Sequence, residues 1–578
     1  MKLYEIVRQI LPNESKNLLD YYQVKQYKSG AEFLPFEVGS QDQILQYLVW
    51  PMTTFHILSY ILDTSDAYQK IVAKLGDSCW SNDHLKEAKI LGVTWAEYLI
   101  KKENINTSIP KELHDLLFDV FKGRSPADKN EIKSLLSDTL FMTNLLILYT
   151  ASDHCSQKIK NVISWSNDNF VTKYVSNIRK ESMLKSLSEG LTEYGSVHYK
   201  TMTPQSGISL NSLSHAISYI KPGIECYTLS GRNENKYDLY HILILPWPLS
   251  IGRDFFEVDL NPPLKMDDDQ FGFFSYTNKE KINADMIIYA IEMAENETAL
   301  PDLIVIPECA IDEKDSHIIS QQLINYFEKN RKPQPIIIYG AYSHSTTDKF
   351  GGNYLDYIYK DDFSGVAVRA SQPKHHRWAL DRNQIINYKL GTKLAPNKKW
   401  WENCNIDSRK ILSYQDKGIH ICPLICEDLA RQDPIAPIVR SLGPNLVVAL
   451  LLDGPQIKGR WPEKYASVLS EDPGSSVLSI SPFGMTQRST GGGHLPSAGV
   501  ALWSDGDVTK TLDLGSNKIG INLVLEKRKV EQWTADGRRQ IKASFKYAGH
   551  VSIGSCSELD VIRTQQIKGS LNSVAELA

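Results

Sequence analysis

Apolar residues recur at helical spacing through the first 230 residues of the chain. In the segment 111–123 they follow the i, i+3, i+4, i+7 and i+8 positions of one helix face, which are Leu113, Leu116, Leu117, Val120 and Phe121. Pro110 precedes this predicted helix and Gly123 closes it. The segment 131–150 is apolar on almost every side, which predicts a buried core helix. We therefore predict that residues 1–230 form a mainly helical domain, whose role the pattern leaves open.

The pattern changes near residue 238, where short apolar runs begin to alternate with helical segments. The runs predict buried strands at 240–246, 303–308, 335–342, 418–426, 445–452 and 476–481. Asn283 is a predicted cap for a helix that begins at Ala284, and Gly443 closes a helix over 435–442. This alternation predicts an α/β domain over residues 238–555. The polar, aperiodic residues 556–578 predict a loose tail.

Composition and charge exclude several classes of protein. The chain has 578 residues, which allows two to four domains, and 42% of them are hydrophobic, enough for a large core. The formal net charge of −4 argues against a polybasic nucleic-acid binder. The basic stretches 526–533 and 536–547 alternate like strands, so we interpret them as solvated faces and expect no nucleic-acid binding there. The 8 cysteines form no C-x-x-C pair, which argues against a zinc ribbon or a disulfide framework and favours a reducing compartment.

The chain shows no pattern that predicts contact with a membrane. Its first residues have neither a long apolar core nor a small-residue cleavage site, so we expect no signal peptide. The longest apolar runs fall short of the roughly 20 residues that span a bilayer. We therefore expect a cytoplasmic protein.

Three residues of the second half combine into one chemistry. Glu308 and Cys426 each lie at the carboxyl end of a predicted buried strand, where open α/β sheets place their ligand sites, and Lys374 lies between them in the sequence. A buried carboxylate can activate a thiol as a nucleophile, and an ammonium can stabilise the negative charge that develops on an attacked amide or nitrile. The three residue types therefore predict a thiol hydrolase.

Each of these residues also has an ordinary structural interpretation. Glu308 alone is typical of a helix cap or an ion pair, and Lys374 could belong to a solvated basic turn. A lone buried cysteine is usually a small apolar residue, and Cys422 serves as the reference for that case. His375 and His376 are adjacent and would face opposite ways on a strand, so we predict no metal site.

Taken together and in this order, the motifs resemble the carbon–nitrogen hydrolase (nitrilase) superfamily, in which Glu, Lys and Cys follow one another along the chain. The segment Ile425-Cys426-Glu427-Asp428-Leu429 resembles its cysteine motif and is closest to the amidase and glutaminase-type branches. The resemblance covers about residues 238–550. Further similarities to superfamily motifs occur at Gly340, at the end of a strand, at Asn353, at Trp461 and at 497–508.

The resemblance implies an α-β-β-α sandwich, often paired into dimers, that acts on a small amide, carbamoyl or nitrile group. It implies that Glu308 is general base and acid, that Lys374 stabilises the oxyanion, and that Cys426 forms a thioester. The backbone N–H of Glu427 would complete the oxyanion hole, and no cofactor is implied.

The chain departs from the superfamily pattern at one place. Many members of the superfamily carry a second glutamate shortly after the lysine, which helps to position the substrate. The local candidates for positioning the substrate are Asp381 and Gln384, and an amide such as that of Gln384 cannot act as a base.

Three hypotheses remain open at this point. The first is a thiol amidohydrolase. The second is a binding or sensing module in which residues 1–230 recruit a protein or a nucleic acid, as nitrilase-like domains also occur joined to other modules, including in bacterial defence systems. The third is an acyltransferase, in which an amine other than water accepts the acyl group.

Overall fold

The computed structural model describes residues 2–12, 47–71, 80–101, 109–121, 131–163, 169–179, 183–231, 238–264, 266–346, 349–362, 364–416 and 418–562. Within them the helices are α1 Leu3–Ile10, α2 Pro51–Ser65, α3 Asn82–Ile100, α4 Lys111–Phe121, α5 Ile132–Leu135, α6 Thr139–Lys160, α7 Phe170–Ile178, α8 Ala284–Glu297, α9 Glu313–Lys329, α10 Arg382–Asn387, α11 Ile435–Leu442, α12 Trp461–Glu471 and α13 Phe483–Thr486.

The described residues also form 21 strands. They are β1 Met183–Leu184, β2 Ser196–Tyr199, β3 Ile217–Ile220, β4 Glu225–Ser230, β5 Leu239–Ile244, β6 Phe256–Asp259, β7 Phe271–Tyr276, β8 Leu303–Asp312, β9 Ile336–Ser343, β10 Gly352–Lys360, β11 Ala367–Pro373, β12 Ala379–Leu380, β13 Lys399–Glu402, β14 Lys410–Asp416, β15 Ile419–Ile425, β16 Leu446–Leu450, β17 Ser476–Ile480, β18 Gly499–Ser504, β19 Thr509–Asp513, β20 Gly520–Trp533 and β21 Arg539–Ile553.

Two large sheets form the centre of the second half. One has the order β1-β4-β14-β15-β16-β17-β18-β19 and the other the order β11-β10-β9-β8-β5-β20-β21. Apolar side chains from both sheets, such as Ile242, Val305 and Val447, lie in one buried cluster. Helices α11 and α12 add to that cluster, whereas α8 and α9 cover the outer face of the second sheet. This layering is the mixed α/β, α-β-β-α sandwich that the resemblance implies.

The predicted helices of the first half exist, with one difference. The helix over 111–121 is present as α4, but its predicted end, Gly123, lies outside the described residues. The single helix predicted over 131–150 is wrong, because the structure has the short α5 followed by α6. Asp138 caps the start of α6, because its carboxylate accepts hydrogen bonds from the backbone N–H groups of Leu140 at 2.9 Å and Phe141 at 3.1 Å. The apolar character predicted for the segment does correspond to burial, since most of α6 is buried.

The strands before residue 231 tie the helical part to the second half. β4 pairs in parallel with β14 and antiparallel with β1, so the eight-stranded sheet begins before the predicted division at residue 230. The buried apolar clusters divide between Tyr219 and Ile220. The division of the chain into two domains near residue 230 therefore stays a prediction. The first part of the predicted tail, 556–562, is helical with Leu559 buried, and the rest lies outside the described residues.

A buried ion pair also joins the two parts. Asp153 of α6 accepts a hydrogen bond from Arg538 at 3.1 Å, and both side chains are at most 8% exposed. The same carboxylate accepts backbone N–H groups of His215 at 2.8 Å and Ala216 at 2.9 Å. Burial alone would raise the pKa of Asp153, but the charge of Arg538 and the bond from His215 outweigh burial and hold that pKa below its usual range.

Replacing Asp153 with Ala should lower the free energy of unfolding by about 3–5 kcal/mol at pH 7, because the buried N–H groups of His215 and Ala216 would lose their acceptor and Arg538 would keep only Asp536 as an ion-pair partner. A carboxyl whose pKa is lowered by folding stabilises the protein above its unfolded pKa of about 4 and loses this contribution as the pH falls. The difference between wild type and Asp153→Ala should therefore narrow below about pH 4. Urea unfolding at several pH values measures it.

Glu531→Ala is the matched control for that variant. Glu531 forms an ion pair with Arg539 at 2.5 Å on the hairpin that also carries Arg538, but its side chain is 42% exposed. Its loss should cost less than about 1 kcal/mol. Equal losses for Asp153→Ala and Glu531→Ala would contradict a structural role for the buried pair.

Candidate active site

Glu308 lies on β8, in a stretch where the pairing of β8 with β9 changes register between Ile306 and Ile311. Its side chain is 1% exposed. Gly340 is predicted to end a strand, but the structure places it inside β9, where a Cβ would lie 2.4 Å from the Cα of Glu308. Glycine is therefore needed for the close approach of β9 to the backbone that carries Glu308.

Lys374 follows β11 and lies between two carboxylates. Its Nζ donates to Glu308 Oε1 at 2.6 Å and to Glu402 Oε2 at 2.6 Å, and its side chain is fully buried. Burial alone would lower the pKa of Lys374, but the charges of Glu308 and Glu402 outweigh this and raise it well above its usual value. Lys374 is therefore a fixed ammonium at neutral pH.

Asn353 connects the same two carboxylates. Its Nδ2 donates to Glu308 Oε1 at 2.8 Å and to Glu402 Oε1 at 2.5 Å. Among the described residues, Glu308 Oε2 and Asn353 Oδ1 are buried and have no hydrogen-bond partner. Burial raises the pKa of Glu308, and Lys374 and Asn353 oppose that rise. One oxygen of Glu308 is thus held by Lys374 and Asn353 while the other is free to take a proton.

Sequence reasoning missed Glu402. The residue ends β13, which pairs in parallel with β7, and this pairing brings Glu402 to Lys374. The only local signal was an acidic residue after two tryptophans, which is not specific for any site.

Cys426 occupies the first position of a short helical turn, Cys426–Ala430, directly after β15. It is 1% exposed and has a φ of +44°, a backbone conformation that is uncommon for a residue with a side chain and that clusters at functional sites. Burial and then the charge of Glu308 raise the pKa of its thiol well above the usual value, and Lys374 lowers it. The resting thiol is therefore neutral and lies within the electrostatic influence of both Glu308 and Lys374.

Cys422 differs from Cys426 in its position on the strand and in the cause of its raised pKa. It lies within β15, is fully buried, and burial alone raises the pKa of its thiol to about 12. Neither Glu308 nor Lys374 contributes to that shift. Of the two cysteines on this segment, only Cys426 is coupled to the charged pair.

Asp381 and Gln384, the predicted candidates for substrate positioning, have a local role instead. The carboxylate of Asp381 accepts the backbone N–H of Gln384 at 2.8 Å, and the amide oxygen of Gln384 accepts the backbone N–H of Asp381 at 3.0 Å. Both side chains therefore form a capping box that begins α10. The second carboxylate that the structure brings to Lys374, besides Glu308, is Glu402.

The expectation that His375 and His376 face opposite ways is wrong. They lie on a bend rather than a strand, and both contact the buried carboxylate of Asp428. His375 Nδ1 lies 3.1 Å from Asp428 Oδ2, and His376 Nδ1 lies 2.8 Å from Asp428 Oδ1. The adjacent histidines thus converge on one carboxylate.

A second buried carboxylate, Asp453, lies close enough to Cys426 to influence its pKa. It accepts hydrogen bonds from Tyr388 at 2.5 Å, from Arg460 at 3.0 Å, and from the indole of Trp461 at 2.9 Å. Burial alone would raise the pKa of Asp453, but Arg460, the hydroxyl of Tyr388 and the backbone N–H of Gly454 outweigh burial and lower it. Asp453 is therefore a saturated anion that holds Arg460 and Trp461 beside the site.

One group of side chains offers ligand atoms for a cation. Atoms of Glu308, Cys309 and Glu402 lie within 4.8 Å of one another. The ammonium of Lys374 already donates to both carboxylates, so a metal ion would have to displace it. The positive charge at this point comes from the protein itself.

Within the described part of the chain, none of the helices has the length and apolar character that crossing a membrane requires.

Comparison with known proteins found similar solved structures only. No family model and no curated protein sequence matches the chain. An amidase of the nitrilase superfamily from Nesterenkonia AN1 is 10% identical with a TM-score of 0.29, over 50% of this chain and 90% of that one. Nit3 of Saccharomyces cerevisiae, of branch 10 of the same superfamily, is 14% identical with a TM-score of 0.25, over 55% and 93% of the two chains.

A glutamine-dependent NAD+ synthetase from Acinetobacter baumannii is 12% identical with a TM-score of 0.30, over 54% of this chain and 48% of that one. The amidase and Nit3 belong to the superfamily that the sequence motifs resemble. Likeness at these TM-scores carries no argument about activity, so the roles of the residues depend on the geometry of this chain.

Proposed function

We propose that this protein is a carbon–nitrogen hydrolase of the nitrilase type, which cleaves a small amide, carbamoyl or nitrile group through a thioester on Cys426. The observation that carries the proposal is the buried pair of Lys374 and Glu308, 2.6 Å apart, whose charges act on the Cys426 thiol. A buried charged pair coupled to a thiol at a strand end supplies a base, a nucleophile and an oxyanion partner in one place.

The first half of the reaction forms the thioester. Glu308 takes the proton of the Cys426 thiol, and the thiolate sulfur attacks the carbonyl carbon of an amide. The C–S bond forms while the C=O electron pair moves to oxygen, and the Lys374 ammonium and the backbone N–H of Glu427 stabilise this oxyanion. When the oxyanion collapses, the C–N bond breaks and the amine leaves with the proton that Glu308 held.

The second half releases the acid. Glu308, now a carboxylate again, takes a proton from a water molecule, and the hydroxide attacks the thioester carbon. The C–S bond breaks and the sulfur regains a proton from Glu308. Burial raises the pKa of Glu308 while Lys374 opposes that rise, so the carboxyl can take up a proton and give it back within one reaction cycle.

Glu402 has a positioning role in this scheme. Its carboxylate holds Lys374 at 2.6 Å from the side opposite Glu308 and shares Asn353 with Glu308. It keeps the ammonium charged and directed, so that neither Glu308 nor the substrate has to hold the lysine alone. It replaces Asp381 and Gln384 in the role that the resemblance leaves open.

The test is the intact mass of the protein after mixing with small amides, carbamoylated amines and aliphatic nitriles, followed by rapid acid quenching. We expect one added acyl group, located on the peptide that contains Cys426. Added hydroxylamine distinguishes the acceptor, because an acyltransferase would deliver the acyl group to the amine in preference to water.

Absence of any adduct and of any turnover across this panel would count against the hydrolase and favour the binding or sensing module. An adduct on Cys422 or Cys309 instead would contradict the assignment of the nucleophile.

A further inference from the structure

The turn that carries Lys374 and the turn that begins with Cys426 are joined by a single side chain. Asp428 lies two residues after Cys426 and is 1% exposed. Its Oδ2 accepts the backbone N–H of His375 at 3.2 Å and lies 3.1 Å from His375 Nδ1, directly beside Lys374. A shift of either turn would therefore change the position of Lys374 relative to Cys426.

His376 extends this connection to the start of α11. Its Nδ1 lies 2.8 Å from Asp428 Oδ1 and its Nε2 lies 3.1 Å from the backbone carbonyl oxygen of Asp433. Both partners are acceptors only, so each ring nitrogen must carry a hydrogen for both bonds to exist. The geometry therefore requires the charged imidazolium form of His376.

Of the three side chains His375, His376 and Asp428, only that of His376 is exposed to solvent. Its side chain is 23% exposed, whereas the side chains of His375 and Asp428 are fully buried. When the imidazolium loses a proton, only one ring nitrogen keeps a hydrogen, and one of the two bonds is lost.

Few other charges compete for His376. On its own turn, Lys374 is held by Glu308 and Glu402, and Arg377 donates to the carbonyl oxygen of Cys404 at 3.0 Å. On the facing turn, Glu427 pairs with Arg431 at 2.5 Å. His376 itself contacts the carboxylate of Asp428, which His375 contacts at its other oxygen, and the backbone carbonyl oxygen of Asp433. Asp428 is therefore the anion that balances the imidazolium.

We propose that Asp428 and His376 are positioning residues for the hydrolase reaction, forming a clasp that holds Lys374 against Cys426 while His376 is charged and loosens when it becomes neutral. The proposal rests on the proposed function, because it assigns the clasp to the Cys426 nucleophile. The bonds from both histidines outweigh burial and lower the pKa of Asp428, so this carboxylate stays charged at neutral pH.

The test is the rate of alkylation of Cys426 by iodoacetamide, followed by peptide mass, in wild type and His376→Asn at pH 6 and pH 9. The Asn side chain keeps an N–H donor for Asp428 but has no second nitrogen for Asp433 and no charge. We expect the variant to react about 10-fold more slowly than wild type at pH 6, where the wild-type clasp is closed. At pH 9 the two rates should agree within about twofold, because the wild-type clasp is then open as well.

Two further variants complete the design. Asp428→Asn should also lower the rate most at pH 6, and it carries the test if His376→Asn does not fold, as judged by its melting temperature. His344→Asn is the matched control, since it removes an exposed histidine 3.0 Å from Asp312 that is outside the clasp, and its rate should equal that of wild type at both pH values.

Two results would overturn the clasp alone. If His376→Asn slowed alkylation of Cys426 equally at pH 6 and pH 9, His376 would have a merely structural role. If the variant and wild type reacted at the same rate at both pH values, His376 would have no role. If Cys426 in wild type reacts no faster than Cys422 at either pH, the hydrolase proposal itself falls, and the clasp with it.

Discussion

Replacing Cys426 with Ala is expected to remove turnover and the acyl adduct, by about 10⁴-fold or more, with a loss of roughly 1 kcal/mol or less in stability. The nucleophilic sulfur is lost, and the small alanine side chain keeps the backbone turn and most of the surrounding contacts. Turnover of the reactive amide from the mass screen measures the first effect, and urea unfolding the second.

The controls for this variant are the other cysteines near the charged pair. The charges of Glu308 and Lys374 also act on the thiols of Cys309 and Cys404, so these two are stricter controls than Cys422. Each of the three Cys→Ala controls should retain turnover. Loss of turnover in Cys309→Ala together with activity in Cys426→Ala would transfer the nucleophile to Cys309.

Replacing Lys374 with Met should abolish turnover and also lower the free energy of unfolding by about 3–5 kcal/mol at pH 7. Glu308 and Glu402 would lose the ammonium that lies 2.6 Å from each of them in a buried environment. The raised pKa of Lys374 means that its contribution is complete below the unfolded pKa of about 10.4 and is lost only as the pH rises through the folded value. The loss of stability should thus be constant from pH 7 to pH 9.

A compensated variant separates the two effects of losing Lys374. Changing Glu308 and Glu402 to Gln together with Lys374→Met removes the uncompensated charges, so most of the stability should return while turnover stays absent. Lys281→Met is the matched control, because Lys281 pairs with Asp315 at 2.7 Å but its side chain is 68% exposed, and its loss should cost less than about 1 kcal/mol. If Lys374→Met were as stable as wild type, that result would contradict a buried ion pair between Lys374 and Glu308.

Local patterns predicted the elements that carry the site. The strands β8 and β15 appear in the sequence as apolar runs bounded by polar or turn residues, because strands that are buried on both faces need apolar side chains at every position. Asn283 caps α8 as predicted, with its side chain accepting the backbone N–H of Met286 at 3.0 Å. Such signals concern neighbours within a few residues, which is why they can be seen without a structure.

Features that depend on long-range pairing could not be predicted from local patterns. Glu402 reaches Lys374 through the small sheet β12-β13-β7-β6, whose strands come from separate parts of the chain. Asp381 and Gln384 lie near Lys374 in sequence, yet their side chains start a helix. The pairing of β4 with β14, much later in the chain, also lies outside what the change of pattern near residue 238 indicates.

The sequence by itself determined the α/β character of the second half and the order of Glu308, Lys374 and Cys426 along the chain, because burial and chain reversal impose local residue patterns. Only the tertiary structure decided which carboxylates hold Lys374, that Glu308 acts on the thiol of Cys426 and not on that of Cys422, and that His375 and His376 share Asp428. The physical reason is that hydrogen bonds and ion pairs act over about 3 Å in space, whereas their partners are chosen by strand pairing and turn geometry that short sequence windows do not contain.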